Sequence, residues 1–240
     1  MNAKALVRRL LNNLHLDLSK NLKYDRLTTA VMKKVIRRDS NCIDIGCHEG
    51  EVLQVILSLA PAGRHHAFEP LPSYFEKLKG KYGQKVELHG LALSDKSGET
   101  KFQYVINAPA FSGIKKRSYL VDEADIEEIT VPLGKLDDII PQGERIDFIK
   151  IDVEGGELDV IRGGRRILKE CRPVVIFEFG KGAADHYGTT AEDIWSEFSE
   201  AALSLYTLDA FLKGQADMEL DELRSHFDKG SEYYFIAAPA

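Results

Sequence analysis

Ten consecutive residues in the first quarter of the chain set its organisation: Asn41-Cys42-Ile43-Asp44-Ile45-Gly46-Cys47-His48-Glu49-Gly50. An apolar run leads to an acid and then to two glycines, which predicts a buried strand that breaks into a tight turn. Apolar residues recur at helical spacing from Val52 to Leu59, so a helix is expected to begin directly after the turn. Glycine suits such a turn because a ligand can approach the bare backbone and because glycine adopts positive φ readily. The stretch therefore predicts a nucleotide-like ligand at the turn, with a purely structural corner as the alternative.

The charges around the turn narrow the choice of ligand. Asp44, Glu49 and Glu51 surround the glycines and would repel the phosphates that a dinucleotide site binds at a helix N-terminus. The spacing also departs from G-x-G-x-x-G, because the third glycine is missing. A nicotinamide-dependent dehydrogenase is therefore disfavoured. A cationic or zwitterionic nucleoside fits better, and S-adenosylmethionine is the common one.

The composition of the 240-residue chain limits the remaining possibilities. Its length and its alternating strand and helix patterns favour one α/β domain. A net charge of −6 with dispersed basic residues argues against a nucleic-acid partner. The three cysteines show neither a metal-ligand nor a disulfide pattern, which is typical of a reducing compartment and predicts a cytoplasmic protein without a metal site. No stretch approaches the roughly 20 apolar residues of a membrane span.

The first forty residues are expected to form a helical extension (1–40) of the domain at 41–240. Two helices are predicted between residues 3 and 38. The first of them is amphipathic, with basic residues among leucines, which suits a membrane-surface or transit helix or a helix that packs on the domain. Packing is favoured because the apolar periodicity continues straight into the fold.

Three later strands are predicted to end in an acid. They close at Glu69, Asp152 and Glu178, and the carboxyl ends of parallel strands meet at the sheet edge where ligands bind. Glu69 follows the glycine turn by about 20 residues, the position of an acid that accepts ribose hydroxyls, and a helix N-cap is the alternative. Glu154 approaches the same edge, whereas Glu157 is expected to serve the helix that it begins.

Loops complete the predicted site. Ala92, Leu93 and Ser94 are small or apolar and suit the face of an adenine. His186 is a candidate general base, although a lone loop histidine is more often solvated surface. Residues 107–128 show no clear period, and we expect either a mobile lid or an ordered hairpin that extends the sheet.

Together these residues resemble the FkbM family of S-adenosylmethionine-dependent methyltransferases, from about Asn41 to the C-terminus. The motifs that carry the resemblance are Asp44-Ile45-Gly46 with Gly50, Phe68-Glu69-Pro70, Leu91-Ala92-Leu93-Ser94-Asp95, and Ile149-Lys150-Ile151-Asp152-Val153-Glu154-Gly155-Gly156-Glu157 with Arg162-Gly163. The last two motifs are specific to the family, and the first is shared by class I methyltransferases. Where many relatives carry Ala-Asn after the first glycine, this chain has Cys47-His48.

The resemblance implies a Rossmann-like three-layer α/β sandwich with a seven-stranded, mostly parallel sheet whose last strand is antiparallel. It also implies O-methylation of a hydroxyl on a sugar, glycan or natural-product small molecule. The residues expected to bind the cofactor are Asp44, Gly46, His48, Gly50, Glu69, Pro70, Ala92, Leu93, Ser94 and Asp152. A hydroxyl must lose its proton as it attacks, and the candidates for that base are Asp152, Glu154, Glu178 and His186. The alternative is a non-catalytic relative that binds the cofactor without consuming it.

Overall fold

The computed structural model describes residues 20–116 and 123–239. The helices are α1 (Lys20–Val35), α2 (Glu51–Leu59), α3 (Pro72–Tyr82), α4 (Leu136–Ile139), α5 (Glu157–Gly163), α6 (Arg165–Cys171), α7 (Ala184–Tyr187), α8 (Ala191–Glu200), α9 (Leu208–Lys213) and α10 (Leu220–Lys229). The strands are β1 (Cys42–Ile45), β2 (His65–Phe68), β3 (Glu87–His89), β4 (Ala92–Leu93), β5 (Gly98–Val105), β6 (Ile126–Gly134), β7 (Phe148–Ile151), β8 (Val174–Glu178), β9 (Ser204–Thr207) and β10 (Tyr234–Ala238). A 3-10 turn covers Pro109–Phe111.

The main sheet has seven strands in the order β3-β2-β1-β7-β8-β10-β9. Neighbouring strands run parallel from β3 to β8, whereas β10 runs antiparallel to both β8 and β9. β1 lies where the strand order reverses, between β2 and β7, and open α/β sheets bind ligands outside such a switch point. The predicted fold class is confirmed, including the antiparallel last strand.

The central strands are buried on both faces, as parallel strands covered by helices must be. Every residue of β1, β2 and β7 is buried. One core cluster includes Ile151 and Phe177, and a second, on the opposite face of the sheet, includes Phe148 and Ile236. Helices on both faces therefore hold the carboxyl ends of the strands at one fixed edge.

Helix α1 packs on the second core cluster through Tyr24, Leu27, Val31 and Met32. The described residues before β1 form this one helix, and the predicted helix nearer the N-terminus lies outside the described residues. The division of the chain into 1–40 and 41–240 stays a prediction. Within the described ranges, no helix combines the length and the hydrophobicity needed to cross a bilayer.

A second, three-stranded sheet has the order β4-β6-β5 and is not predicted from the sequence. β5 and β6 pair antiparallel from Gly98 with Leu133 to Val105 with Ile126. Residues 126–128, the last of the segment without a clear period, begin β6, where exposed glutamates hide the strand pattern. Residues 117–122 lie outside the described residues. Whether the segment moves as a lid stays a prediction.

Candidate active site

The turn after β1 is held by backbone contacts. Gly46 (φ 76°) and Gly50 (φ 77°) adopt left-handed conformations, and a Cβ on Gly46 would lie 1.8 Å from the carbonyl oxygen of Asp152. The Gly46 amide donates to the carbonyl of Phe68 at 3.0 Å. The ends of three strands therefore meet where no side chain fits, which explains the first glycine. Gly50 begins α2 and packs against α3, away from the cavity described below.

Asp44 is buried beneath this turn. Asp44 is 1% exposed, and its Oδ2 has no hydrogen-bond partner among the described residues. Burial raises the pKa of Asp44 to about 7, against the lowering effect of Lys150. A buried carboxyl oxygen without a donor is unfavourable. The position is therefore suited to a donor or a cation supplied by a ligand.

His48 lies between the two glycines in a left-handed conformation (φ 44°), which histidine adopts more readily than most side chains. Its ring stacks on Tyr74, with 4.4 Å between the ring centroids. Its buried Nε2 has no hydrogen-bond partner within the described part of the chain. Burial lowers the pKa of His48 and so favours the neutral ring. The ring thus presents an unused polar atom beside the glycine turn.

Glu69 is buried at the end of β2 and is held by two backbone amides. The His48 amide donates to Oε2 at 2.8 Å, and the Leu71 amide donates to Oε1 at 3.0 Å. Burial raises the pKa of Glu69 to about 7, although the two hydrogen bonds act to lower it. The contact with Leu71 orders the start of α3, and each oxygen keeps a lone pair for another donor. The neighbouring Pro70 lines the cavity.

Of the three residues predicted to face the adenine, two line the cavity and one does not. Ala92 and Leu93 form β4 and line the cavity. The Ser94 hydroxyl donates instead to Asp95 at 3.2 Å, and Ser94 is not among the lining residues. Only the first two residues are brought to the predicted site.

A carboxyl cluster, made of Asp152, Glu154 and Glu178, lies at the ends of β7 and β8. One oxygen from each residue lies within 4.8 Å of the others. The Lys150 ammonium donates to Asp152 Oδ2 at 2.7 Å, and the Tyr234 hydroxyl donates to the same oxygen at 2.6 Å. Burial acts to raise the pKa of Asp152, but Lys150 and these hydrogen bonds hold it below its usual value.

Two other predicted residues lie outside this cluster. Glu157 accepts the amides of Val153 and Gly155 at 3.0 and 3.2 Å, so it orders the turn before α5. His186 is exposed on α7 and does not line the cavity. Its neighbour Tyr187 turns inward instead, so the placement of His186 gives no support to its predicted role as a base.

Lys150 and Tyr234 are candidates that the sequence analysis misses. Lys150 is 5% exposed in the otherwise apolar strand β7. A lysine flanked by isoleucines is a usable signal, because a buried ammonium needs a counter-ion. Tyr234 carries no such signal, since it reaches Asp152 only through the pairing of β10 with β8, where it lies opposite Glu178.

One cavity of about 1800 Å³ joins the glycine turn to the carboxyl cluster. Typical ligand pockets measure roughly 300–1,000 Å³, so the cavity has room for two ligands. Its lining includes Gly46, His48, Glu69, Asp152, Glu178 and Tyr234. We call the part around Gly46 and Glu69 the turn side, and the part around the carboxyl cluster the cluster side.

Two groups of described residues have the side-chain types that bind metals: the carboxyl cluster, and His66 with Glu87 and His89. In the second group, the facing ring nitrogens of His66 and His89 lie 3.2 Å apart in nearly parallel rings, the separation of a direct hydrogen bond. The other nitrogen of His66 lies 3.0 Å from Glu144. In the carboxyl cluster, Lys150 already supplies the positive charge. We assign a metal to neither group.

Comparisons with known proteins agree with this geometry. A sequence profile described as the methyltransferase FkbM domain matches residues 44–205. The chain is 32% identical over 165 residues to the AMB antimetabolite synthetase AmbE of Pseudomonas aeruginosa, covering 54% of this chain and 8% of that protein. It is 29% identical over 167 residues to the 2-O-methyltransferase NoeI of Sinorhizobium fredii, covering 63% of this chain and 67% of that protein.

A solved structure shares the fold. The methyltransferase FkbM of Methylobacillus flagellatus KT superposes with a TM-score of 0.51 at 14% identity, covering 90% of this chain and 52% of that one. The chain therefore spans about half of that structure and a small part of AmbE. The family profile covers more than half of the chain, including the glycine turn and the carboxyl cluster. The chain belongs to the FkbM methyltransferase family, for which S-adenosylmethionine is the implied cofactor.

Proposed function

We propose that the chain transfers the methyl group of S-adenosylmethionine to a hydroxyl oxygen of a sugar, glycan or natural-product small molecule. The observation that carries the proposal is the single cavity that joins the glycine turn and Glu69 to the carboxyl cluster. A protein that only binds the cofactor has no need of acids and a buried lysine beside it. The name of NoeI, a 2-O-methyltransferase, supports oxygen as the acceptor atom.

The turn side fits the cofactor. The unpartnered atoms of Asp44 and His48 are suited to the polar groups of its methionine part. Glu69 has lone pairs for the ribose hydroxyls, and Ala92 with Leu93 offers an apolar surface for the adenine. When bound, S-adenosylmethionine supplies a methyl group on a positively charged sulfonium. The acids of the turn side favour a positive charge and disfavour phosphates.

The cluster side is suited to removing the acceptor's proton. Asp152 already accepts hydrogen bonds from Lys150 and Tyr234, so it fixes its neighbours rather than taking a proton. Glu178 lines the cavity, and burial, followed by the charges of Asp152 and Glu154, raises its pKa well above its usual value. A carboxylate with a raised pKa is a stronger base. Glu178 is therefore the proposed acceptor of the hydroxyl proton.

The remaining acceleration is assigned to alignment. Methyl transfer requires the acceptor oxygen in line with the bond that breaks, and holding it there supplies much of the rate. Residues of the segment 109–114 line the cavity, and Gly113 lies against the backbone and Cβ of Glu154. This segment is placed to limit the access of water to the cluster side.

Calorimetry tests the cofactor. We expect S-adenosylmethionine and S-adenosylhomocysteine to bind, and NAD to bind more weakly than either, because the acidic turn disfavours phosphate. Tighter binding of NAD than of both sulfur nucleosides would contradict the assignment.

A turnover screen tests the reaction. The protein is incubated with S-adenosylmethionine and a panel of sugars, lipids and small metabolites, and formation of S-adenosylhomocysteine is measured. We expect Asp152→Asn to lower turnover more than cofactor affinity. Asp209→Asn is the control, because its half-exposed side chain lies outside the cavity. Equal losses of affinity and thermal stability in Asp152→Asn would make Asp152 a structural residue. If the cofactor binds but is not consumed with any acceptor of the panel, the protein would be a non-catalytic relative.

A further inference from the structure

Asp152 and Glu178 each place one carboxyl oxygen in a cluster whose members lie within 4.8 Å of one another. Two carboxylates this close repel each other, so the pair is stabilised when one of them carries a proton. Asp152 also receives the Lys150 ammonium and the Tyr234 hydroxyl, both of which stabilise its ionised form. A proton on this pair is therefore held by Glu178 rather than by Asp152.

The surroundings of Glu178 are mainly acidic. Burial raises the pKa of Glu178 first, Asp152 and Glu154 after β7 and Glu157 at the start of α5 raise it further, and Lys150 on β7 lowers it. Tyr234 on β10 and Tyr233 just before it pack beside Glu178, and their own pKa values are raised first by burial, so both are neutral. Lys150 is thus one ammonium facing several carboxyl groups. A second, permanent positive charge in the cavity would change this balance.

We infer that binding of S-adenosylmethionine drives the proton off Glu178, so that the base for the acceptor hydroxyl forms only in the loaded site. This inference rests on the proposed function. Glu178 and the glycine turn line the same cavity. The charge of a sulfonium is permanent, because it does not depend on a bound proton. In this partly buried cluster, a nearby cation favours the ionised carboxyl group.

The proton balance is closed. On loading, the O–H bond of Glu178 breaks and its proton passes to the buffer. In the transfer, the acceptor oxygen gains the methyl group, and Glu178 takes the proton that the hydroxyl loses. The sulfonium becomes a neutral thioether, and the carboxylate becomes a neutral acid, so the charge in the cavity is unchanged. Glu178 ends the cycle protonated, as it is in the free protein.

The test is calorimetric titration at pH 8 in two buffers that differ in ionisation enthalpy. At this pH, Asp44 and Glu69, with pKa values of about 7, are mostly ionised already. We expect S-adenosylmethionine to release a proton and S-adenosylhomocysteine to release none, since protons bound in the two states differ only where a pKa changes. Glu178→Gln should keep cofactor binding and lose the release. Glu127→Gln, an exposed acid on β6, should behave like the wild type.

Infrared difference spectra provide a second measurement that does not depend on a variant. Addition of S-adenosylmethionine to the wild type should remove a protonated-carboxyl band, and S-adenosylhomocysteine should leave it. Cofactor binding without proton release, equal release with both nucleosides, or release that survives in Glu178→Gln would each overturn the inference while leaving the proposed function intact. Failure of S-adenosylmethionine to bind would overturn the proposed function and the inference with it.

Discussion

The two sides of the cavity hold their acids in different ways. On the turn side, Glu69 is fixed by backbone amides, which the strand and the turn place without freedom to rotate. On the cluster side, Asp152 is held by side chains, the Lys150 ammonium and the Tyr234 hydroxyl. Backbone donors make a rigid receptor, whereas side-chain donors rearrange and exchange protons. We therefore propose that the turn side serves recognition and the cluster side serves chemistry.

The largest effect is expected from Gly46→Ala, which strikes the rigid turn. The new Cβ would overlap a backbone oxygen at 1.8 Å in a left-handed conformation. We expect a loss of more than about 4 kcal/mol in the free energy of unfolding, beyond the range of most single substitutions. Urea denaturation measures it.

Gly214→Ala is the matched control. Gly214 also has positive φ (64°), but nothing lies within 4 Å of its added Cβ. Only backbone strain remains, which amounts to roughly 1–2 kcal/mol. Similar losses of unfolding free energy in both variants would show that the turn adapts to the added Cβ. The turn side would then not be the rigid side of the cavity.

Lys150→Met comes next and strikes the cluster side. It leaves the partly buried Asp152 without its ammonium, and breaking a buried ion pair destabilises by about 3–5 kcal/mol. We expect the lower end of that range, because the Asp152 side chain is 27% exposed to solvent. The double variant Lys150→Met/Asp152→Asn should recover part of the loss in the same denaturation assay.

Lys169→Met provides the comparison with an exposed ion pair. Lys169 contacts Glu200 at 3.2 Å, and both side chains are about half exposed. Surface pairs contribute about 0–1 kcal/mol. If Lys150→Met were as mild as Lys169→Met, the buried lysine would not organise the cluster side.

Glu69→Ala should leave the fold intact and weaken cofactor binding. Hydrogen bonds to a charged group contribute about 1.5–3 kcal/mol, and we expect a loss of that size in the affinity for S-adenosylmethionine by calorimetry. Glu76→Ala, on the exposed part of α3, is the control. An unchanged affinity in Glu69→Ala would show that another residue contacts the ribose.

The smallest effect is expected from loosening the segment 109–116, part of which lines the cavity next to Glu154. The Lys115 amide donates to the Tyr187 hydroxyl at 3.0 Å. Tyr187→Phe removes that bond, which is worth about 0.5–1.5 kcal/mol, and should speed hydrogen exchange of the Lys115 amide by about 2- to 12-fold. Tyr206→Phe, on β9, is the control.

Exchange with and without cofactor also tests the predicted lid. Protection of residues 110–116 that rises only when ligands are present would support a mobile lid. Slow exchange across these residues in the free protein would indicate a rigid wall.

The turn side is predictable from the sequence because its signals are local. The glycines, Asp44 and Glu69 lie at the ends of apolar runs, and the sheet rule places such ends together. The cluster side is predictable only in part. Asp152 and Glu178 follow the same rule, but the contact of Tyr234 with Asp152 depends on an antiparallel pairing between strands that are distant in the sequence. The second sheet escapes prediction for a similar reason, since its pairing is set by tertiary contacts and the strand pattern is weak.

The position of Tyr234 on β10 has a consequence for the order of biosynthesis. Tyr234 follows its partner Asp152 by 82 residues, and β10 inserts between β8 and β9 rather than at the sheet edge. A nascent chain that has emerged as far as β9 carries the whole glycine turn and the carboxyl cluster but lacks the hydroxyl that completes Asp152. Because domains fold as units during synthesis, we expect neither side of the cavity to form until β10 has emerged and inserted into the sheet.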